Sequence, residues 1–583
     1  MKGNSQRQMN LLSVLAAGNK IKIILTTIIA LLTIAGTALG YKMFFSKTPK
    51  QLYLEAEYRN YKVFAEKIKK IQEKERVKLV QYLLENPSHV VTELSGNISL
   101  DGNGMAAEQL DTIKDLLKKA KLVIDTKNNP KEKKSLSQIS LQLNGSNLVD
   151  AHIFQSDRKL GLKVPLLYDK YFVLDTDNFK QSLENIGIQE DNIPEKILTW
   201  EDFKGVIKLP KEQLRSIGLD YGKFITSSIK EEEIVLTKNV TFKISDSEIK
   251  CKKFTLTMSE DRAKDLLAGL VSKFKDDEKL LELLTENVYN IARLMENTGN
   301  ISSEELGKLT DRNEIKSVIK DGALEFKDLV ANLKFPNGIK MSVLVDKQNN
   351  IVDRKIEFEI GYKEEDERIL FMIFNSNLAN KDQSEISELN VAIKPRGSSF
   401  KGKNELTFAL NSYTVPNTKE NTLKKKLEVY TKLYNNDREV LNGKSEININ
   451  NQKDEQGEER IETDLVVTAK GEQDSGSYDI KLNGQILQDL KGTLKDKLFD
   501  ADSDMKFKVD VNDSSIGNQA LELKLKVKEN IKLDETPDFP ELGSSNSIDL
   551  INVNEAEKME IIQEIQMQAF KFYMKNSQLF NLN

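Results

Sequence analysis

The sequence has little of the side-chain chemistry that catalytic and metal sites require. Its 583 residues include one cysteine, two histidines and one tryptophan. The single cysteine, Cys251, excludes a disulfide within the chain, and two histidines leave little material for a metal or acid–base site. G-x-S-x-G, H-E-x-x-H, P-loop and kinase motifs are absent as well. We therefore predict that the chain is not an enzyme, and we assign no catalytic, cofactor-binding or metal-ligating residue.

The chain carries nearly equal numbers of basic and acidic residues, and this balance limits the kinds of partner that it can bind. The chain has 86 basic and 91 acidic residues, a net charge of −5, spread along its whole length. A nucleic-acid-binding protein normally carries a clustered basic face, so we expect no nucleic-acid partner. Charged residues make up 30% and hydrophobic residues 39% of the chain, which is typical of a globular region rather than a multi-span membrane protein.

One long apolar run stands near the N-terminus. From Ile23 to Tyr41 there are 19 residues without a charge. As a helix they reach roughly 28 Å, close to the bilayer core of about 30 Å. We predict a cytoplasmic tail at 1–22, a transmembrane helix at 23–41 and an extracytoplasmic region behind it, that is, a single-pass signal-anchor protein of the cell membrane.

Two alternatives stay open for this run. Ala38 and Gly40 stand at −3 and −1 of a candidate cleavage site before Tyr41, although the run exceeds the core of about 7–15 residues in a signal peptide. Gly36 and Gly40 also form a GxxxG spacing, which would let two helices approach closely. Cleavage of the anchor and self-association through it are therefore not excluded.

Behind the run, the apolar pattern predicts one long helix and then many strands. Thr48, Pro49 and Gln51 form a helix start, which predicts a membrane-proximal helix over 48–86. Alternating polar and apolar residues then predict antiparallel strands with one buried face. Helices are predicted at 104–121, 177–189, 260–297 and 302–319, and in "NTLKKKLEVYTKLYNN" at 421–436. We divide this region into a sheet-plus-helix domain at 88–321, a β-rich domain at 322–535, and a linker with a C-terminal amphipathic helix at 536–583.

Two motifs suggest chemistry and fail on closer reading. Gly102, Gly104 and Ala107 match G-x-G-x-x-A, with Asp125 about 20 residues on, as in a dinucleotide fingerprint. The preceding "VTELSGNISL" alternates, however, whereas the first strand of a dinucleotide fold is buried on both faces. In "DADSD", Asp500, Asp502 and Asp504 alternate as in a calcium loop, but Met505 and Val511 replace the required Gly and Glu. We interpret this stretch as a solvated turn.

The rare reactive residues also have structural interpretations. His89 and His152 lie in or beside strands, far apart and without ligand spacing. Cys251 precedes "KKFTLTM" with no nearby histidine, so we expect an inert thiol rather than a nucleophile. A buried cluster of ionisable groups in a cleft would reopen the enzyme hypothesis.

A resemblance to a family is present in two stretches. "KLGLKVPLLYDKYFVLD" (159–175) and "PDFPELGSSNSIDLINVNEAEKMEIIQEIQ" (537–566) resemble segments of uncharacterised, N-terminally membrane-anchored proteins of Gram-positive bacteria. The strand and helix pattern is similar to the LolA/LppX-like class, in which a curved antiparallel sheet wraps around helices. This resemblance implies an α+β fold with a space between sheet and helices. The chain departs from that class in its greater length and in having no lipid-attachment cysteine.

Two functions follow from these expectations. The first is a non-enzymatic, membrane-anchored protein of the cell envelope that acts as a binding or scaffold module for a protein partner. The alternative is a carrier of lipid or another apolar ligand, held in a cavity between sheet and helices.

Overall fold

The computed structural model describes most of the chain behind the apolar run. The described residues are 48–101, 114–188, 193–198, 202, 206, 210–244, 247–297, 307–363, 365–379, 384–417, 421–473, 476–513 and 517–576. The predicted tail at 1–22, transmembrane helix at 23–41 and glycine motif at 102–107 lie outside them. In these ranges, no helix is both long and apolar enough to cross a bilayer.

Two helices take the place of the single predicted helix at 48–86. Helix α1 spans Pro49–Gln72 and starts with the expected capping box, in which Thr48 and Gln51 bond each other's backbone. Helix α2 spans Glu75–Glu85. The chain breaks between them because Lys74 is extended, with ψ at 137°. We call α1 and α2 together the arm.

Strands make up most of the remaining chain. In chain order they are β1 Ser88–Asp101, β2 Ala120–Asn129, β3 Lys134–Leu143, β4 Ser146–Ser156, β5 Lys159–Val164, β6 Tyr168–Asp175, β7 Ile234–Ile244, β8 Ser247–Met258, β9 Leu333–Lys334, β10 Ile339–Val345, β11 Ile351–Tyr362, β12 Arg368–Ala379, β13 Glu385–Arg396, β14 Glu405–Asn417, β15 Thr422–Asn435, β16 Arg438–Lys453, β17 Glu459–Gln473, β18 Gly476–Thr493, β19 Leu498–Asp513, β20 Gly517–Leu533 and β21 Ser547–Asp549.

All these strands belong to one sheet. Its spatial order runs from β6 backwards to β1, then to β20, then backwards through every strand to β10, and ends at β8 and β7. Neighbours are antiparallel except for β21, which lies parallel to β6 at one end. The short β9 pairs with β11. Most neighbours in the sheet are also neighbours in the chain, which is the simplest way to build a large antiparallel sheet.

Most helices lie at one end of this sheet. They are α4 Lys211–Ser228, α5 Glu260–Asp276, α6 Glu278–Glu296 and α7 Arg312–Asn332, whereas α3 Phe179–Glu184 and α8 Glu555–Lys575 lie near the other end, beside β6. Ser259 and Asp277 cap α5 and α6 through bonds to backbone amides. Buried clusters join α4 to α5 and α6, and α5 to α7 and β9. Helices α4–α7 thus form a compact core beside β7–β11 and do not cover the middle of the sheet.

The predicted fold class is wrong in its architecture. The sequence led us to expect curved sheets wrapped around helices behind a transmembrane helix, as in the LolA/LppX-like class. The structure instead has one sheet that continues across residue 322, since β8 pairs with β10. Alternation identifies faces of strands but not which strands pair, so it could not distinguish two sheets from one. The division into domains at 322 stays a prediction.

The predicted helix at 421–436 is also wrong. Residues Thr422–Asn435 form β15, which pairs with both β14 and β16. Leu427, Val429 and Leu433 fall on one face of the strand, with lysines on the other. This period of two decides the structure, because burial of a strand face outweighs the modest helix propensity of Leu and Lys.

Candidate functional site

Strand register divides the sheet into an apolar face and a charged face. One row of directly paired residues runs across seven strands, and its members are Leu389, Leu410, Val429, Ser445, Val467, Leu482 and Val509. The next row toward the arm holds Ser387, Ser412, Leu427, Ile447, Leu465, Gly484 and Phe507. We call the side of the sheet that carries these rows the apolar face. Residues at the intervening positions form the charged face.

The charged face is held by ion pairs between strands. Asp504 lies 3.0 Å from Lys526 and Asp502 lies 3.5 Å from Lys528, both between β19 and β20. Lys470 of β17 lies 2.6 Å from Asp479 of β18. The "DADSD" stretch is therefore part of strand β19 rather than the predicted turn. No group of side chains suited to a metal ion occurs among the described residues.

The described residues leave the middle of the apolar face uncovered. Between Leu378 and Phe499, no apolar side chain of the described residues is buried. The two ends differ, because Phe254, Val343 and Tyr53 belong to one buried cluster and Phe499, Ile531 and Leu79 to another. Surfaces of folded proteins rarely leave a contiguous apolar area of this kind without a function.

The arm crosses the apolar face and contacts the sheet on both sides of the uncovered region. On α1, the Glu57 carboxylate accepts a bond of 2.5 Å from Arg354 of β11. On α2, the Arg76 guanidinium lies 5.5 Å from the centre of the Phe499 ring of β19. Between these points, Lys67 Nζ lies 2.8 Å from Glu385 Oε2 of β13.

These contacts favour a sheet that bows away from the arm. Glu57 and Arg76 are 19 positions apart, or about 28 Å along a continuous helix, to which the break at Lys74 and the side chains at each end add length. Strands β11 and β19 are separated by eight strand spacings, or about 38 Å along the sheet. Because the path along the sheet is longer than the helical path of the arm, we infer that the apolar face is concave beneath the arm.

The side of α1 that faces the sheet is partly exposed for the same reason. Ile71 follows Tyr53 by 18 residues, or five helical turns, so both point toward the sheet. Phe64 points in nearly the same direction. Tyr53 is 6% exposed, whereas Phe64 and Ile71 are 57% and 49% exposed. The middle of α1 therefore presents apolar side chains over the sheet without contacting its floor.

Two depressions on the sheet are formed by strands alone. The larger has a volume of about 540 Å³ and lies against β17–β20. Most of its lining residues belong to the charged face, among them Glu462, Asp464, Lys506 and Lys526, and they flank a row of apolar-face positions at Thr463, Ile486, Met505 and Leu525. The smaller lies near the rim away from the arm, between β16 and β19. Neither depression is the predicted cavity between sheet and helices, because no helix residue lines either of them.

Small residues make the concave face possible. A Cβ atom added at Gly96 would lie 2.8 Å from Leu525 Cδ2, and one at Gly484 would lie 3.0 Å from Phe507 Cδ1. Large side chains of one strand thus lie over glycines of the next. This arrangement lets neighbouring strands twist and curl together.

The structure separates the residues that the sequence singled out. His89 Nε2 lies 2.9 Å from Asp125 Oδ1, and His89 Nδ1 lies 3.2 Å from Glu535 Oε1. Asp125 is thus a cross-strand partner rather than a ribose ligand. His152 lies apart, on β4, and burial lowers its pKa. Burial raises the pKa of the Cys251 thiol to about 11, which makes it a poor nucleophile.

The uncovered face of this site was not predicted from the sequence. The pattern predicts a largely β region here, but with a helix at 421–436 in place of β15 and with helices that cover the sheet. The only sequence signal for the uncovered face is the length of the region without a helical pattern.

Comparison with known proteins gives structural neighbours only. No protein-family model matches, and no curated protein matches. Among solved structures, the chain is similar to Pseudomonas aeruginosa OccK2 (OpdF), with 6% identity, 77% of this chain and 97% of that chain covered, and a TM-score of 0.23. It is similar to P. aeruginosa OccK5 (OpdH), with 7% identity, 78% and 99% coverage, and a TM-score of 0.22. The outer membrane protein OpdK of P. aeruginosa gives 8% identity, 76% and 99% coverage, and a TM-score of 0.23. Scores this low carry no argument about what this chain binds.

These findings correct several predictions from the sequence. The neighbours are not N-terminally anchored proteins of Gram-positive bacteria, and they include an outer membrane protein. The predicted family, the single-pass location in the cell membrane and the anchor as membrane partner are therefore withdrawn. The anchored scaffold and the carrier with a helix-covered cavity are withdrawn with them. None of the three neighbours is named as an enzyme.

Proposed function

We propose that this chain is a transport protein whose apolar face serves as a conduit for an elongated amphipathic solute. The observation that carries the proposal is the uncovered apolar surface between Leu378 and Phe499. A solute would move across the strands, with its apolar part against the sheet and its polar part in solvent. This differs from carriage in a closed cavity, because the path is open along its length.

The repeated rows of the face support movement rather than binding at one place. Strands β12–β18 present the same kind of surface at each step of about 4.8 Å, over about 29 Å in total. Leu427, Ile447 and Leu465 are directly paired across three neighbouring strands. An apolar chain that loses contact with one of them therefore contacts the next. A solute that shifts by one strand keeps nearly the same contacts, and its barrier to motion is low.

The arm supports a role in confining the solute. It holds to the sheet through Glu57–Arg354 and Lys67–Glu385 and leaves Phe64 half exposed above the apolar face. An elongated solute passing beneath would contact Phe64 and Ile71 from above and the strands from below. A space bounded by the arm and the strands favours narrow, flexible molecules over compact ones.

A charged barrier in the path tests the proposal. Leu465 lies on the apolar face of β17, and its neighbour Val466 lies on the charged face, 36% exposed. We expect Leu465→Lys to slow transfer of a fluorescent hexadecylphosphocholine probe between donor and acceptor vesicles by about tenfold or more, since the alkyl chain of the probe would have to pass a charged side chain that is costly to desolvate. Val466→Lys is the matched control and should transfer at the rate of the unmodified chain.

Circular dichroism and thermal unfolding of both variants separate a blocked path from a misfolded sheet. Leu465→Asn provides a smaller polar change if the lysine variant does not fold. Equal transfer by the unmodified chain and a folded Leu465 variant would contradict the conduit. Failure of the unmodified chain to accelerate transfer at all would contradict it as well.

A further inference from the structure

One part of the apolar face carries polar side chains, where β13, β14 and β15 pass the arm. Five polar residues occupy directly paired positions there, and they are Glu385 and Ser387 of β13, Ser412 and Thr414 of β14, and Lys425 of β15. We call these five residues the polar corner. On β16 to β19 the same two rows carry mainly apolar residues. The polar corner therefore distinguishes one end of the proposed path from the rest of it.

Lys425 adds a positive charge to the polar corner. It is half-buried and lies on the apolar face, two positions from Leu427 along β15. Its neighbour Lys426 lies on the charged face, where it pairs with Glu428 and Glu446. Lys425 makes no ion pair with any residue in the part of the chain that the structure describes. An ammonium group among apolar side chains is stabilised by an anionic partner, so the corner has the chemistry to attract one.

The arm supplies a second ammonium group to the polar corner. Lys67 Nζ lies 2.8 Å from Glu385 Oε2, and the two side chains are 54% and 46% exposed. Glu385 and Lys425 occupy one row with Thr414 between them, two strand spacings or about 10 Å apart. One anionic group between β13 and β15 can therefore contact both ammonium groups. Because an exposed ion pair contributes little to stability, such a group can take the place of Glu385 at Lys67 at low cost.

The hydroxyl groups of the polar corner suit the same kind of ligand. Ser387, Ser412 and Thr414 each add an O–H donor to the face beside the two lysines. Phosphate and carboxylate groups accept short, strong hydrogen bonds from ammonium and hydroxyl groups. With two positive charges and one negative charge, the corner and Lys67 together attract an anion and repel a cation.

We propose that the polar corner and Lys67 bind the anionic head group of the solute, a phosphate monoester or a carboxylate. The alkyl chain of the solute then lies along the apolar rows toward β18. This inference rests on the proposed function, since it assigns a head group to the solute of the conduit. Lys425 and Lys67 contact the head group, and Glu385 competes with it for Lys67.

Two probes that differ only in their head group test the site. The full-length chain in phosphatidylcholine nanodiscs is titrated with hexadecyl phosphate or with hexadecylphosphocholine, each with a diazirine beside its head group. After photolysis, mass spectrometry measures the label on β13–β15 against probe concentration. We expect hexadecyl phosphate to reach half-saturation at a concentration about fivefold lower or less, because it has a net negative charge and phosphocholine has none.

Three variants separate the roles of the charged residues. Lys425→Gln should reduce the preference for hexadecyl phosphate to about twofold or less. Lys424→Gln is the matched control, because it removes the same charge from the charged face, and it should leave the preference unchanged. Glu385→Gln should raise the affinity for hexadecyl phosphate about two- to fivefold, since Lys67 loses its competing partner. Circular dichroism and thermal unfolding confirm that each variant is folded.

The outcomes distinguish failure of the head-group site from failure of the conduit. Equal half-saturation by the two probes, with label still present along β16–β19, would overturn the site and leave the conduit standing. Equal effects of Lys425→Gln and Lys424→Gln, or weaker binding by Glu385→Gln, would overturn the site as well. Displacement of the probe by equimolar inorganic phosphate would contradict an amphipathic ligand. No label on the apolar face from either probe would contradict both proposals.

Discussion

Arg354 on β11 donates a hydrogen bond of 2.5 Å to the carboxylate of Glu57 on α1, although the two residues are 297 positions apart in the chain. The Glu57 side chain is 10% exposed and the Arg354 side chain 26%. Tyr53 lies beside them, and its pKa is raised by burial and by the nearby Glu57 charge. This cluster fixes the N-terminal half of the arm over the sheet.

Removal of one charge from this pair should destabilise the protein strongly. We expect Arg354→Ala to lower the free energy of unfolding by about 3 kcal/mol, because the buried Glu57 side chain would lose its partner. The double variant Glu57→Leu, Arg354→Met should recover most of that loss. Urea unfolding measures the difference, with Arg59→Ala, an exposed partner of Asn350, as the control. Equal effects of Arg59→Ala and Arg354→Ala would contradict the role of the buried pair.

The second attachment of the arm should depend on pH. Asp534 accepts a bond of 2.6 Å from the Tyr82 hydroxyl of α2 and lies 2.7 Å from Lys497 Nζ. The bonds from Lys497 and Tyr82 hold the pKa of Asp534 below its ordinary value. A lowered folded-state pKa gives stability that is present above the unfolded pKa and is lost as the pH falls through the folded one.

We therefore expect Asp534→Asn to reduce the melting temperature at pH 7 and to have little effect below pH 3. Asp496→Asn, in the β18–β19 loop that also carries Lys497 but bonded to Thr493, is the control. Thermal unfolding at several pH values measures both. A difference between Asp534→Asn and the unmodified chain that grows toward acidic pH has the wrong sign for this explanation.

The curl of the sheet should be sensitive to the glycines beneath large side chains. At Gly96 an added Cβ would lie 2.7 Å from the carbonyl oxygen of Lys524, an atom that cannot move without disturbing the strand. We expect Gly96→Val to lower the free energy of unfolding by about 2 kcal/mol or more. Gly322→Ala in α7, where no atom lies within 4 Å, should instead raise it by about 0.5–1 kcal/mol. Chemical unfolding measures both free energies. A Gly96→Val variant as stable as the unmodified chain would contradict the close approach of the Lys524 carbonyl to Gly96.

The single thiol should be protected in the folded protein. Cys251 is buried, and burial raises its pKa to about 11, so the thiol is neutral at pH 8. We expect iodoacetamide to modify it only after unfolding in guanidinium, as measured by intact mass. Rapid modification of the folded chain at pH 8 would show that β8 opens readily.

The predictions from the sequence succeed or fail for physical reasons. The capping box of Thr48 and Gln51 was predicted correctly, because it depends on residues close together in the chain. The helix predicted at 421–436 and the turn predicted at Asp500–Asp504 were wrong, because pairing with β14 and β16, and of β19 with β20, decides both. The site itself depends on the distance between β11 and β19, which no local pattern encodes.

The conduit is tested most directly by where a solute contacts the chain. A hexadecylphosphocholine probe with a diazirine in its alkyl chain is photolysed with the full-length protein, and the labelled residues are identified by mass spectrometry. The account predicts labels on apolar-face residues of successive strands from β12 to β19, among them Phe408, Leu465 and Ile486, and on Phe64 of the arm, with few on the charged face. Labels confined to one strand pair, or equal on Leu465 and Val466, would contradict it.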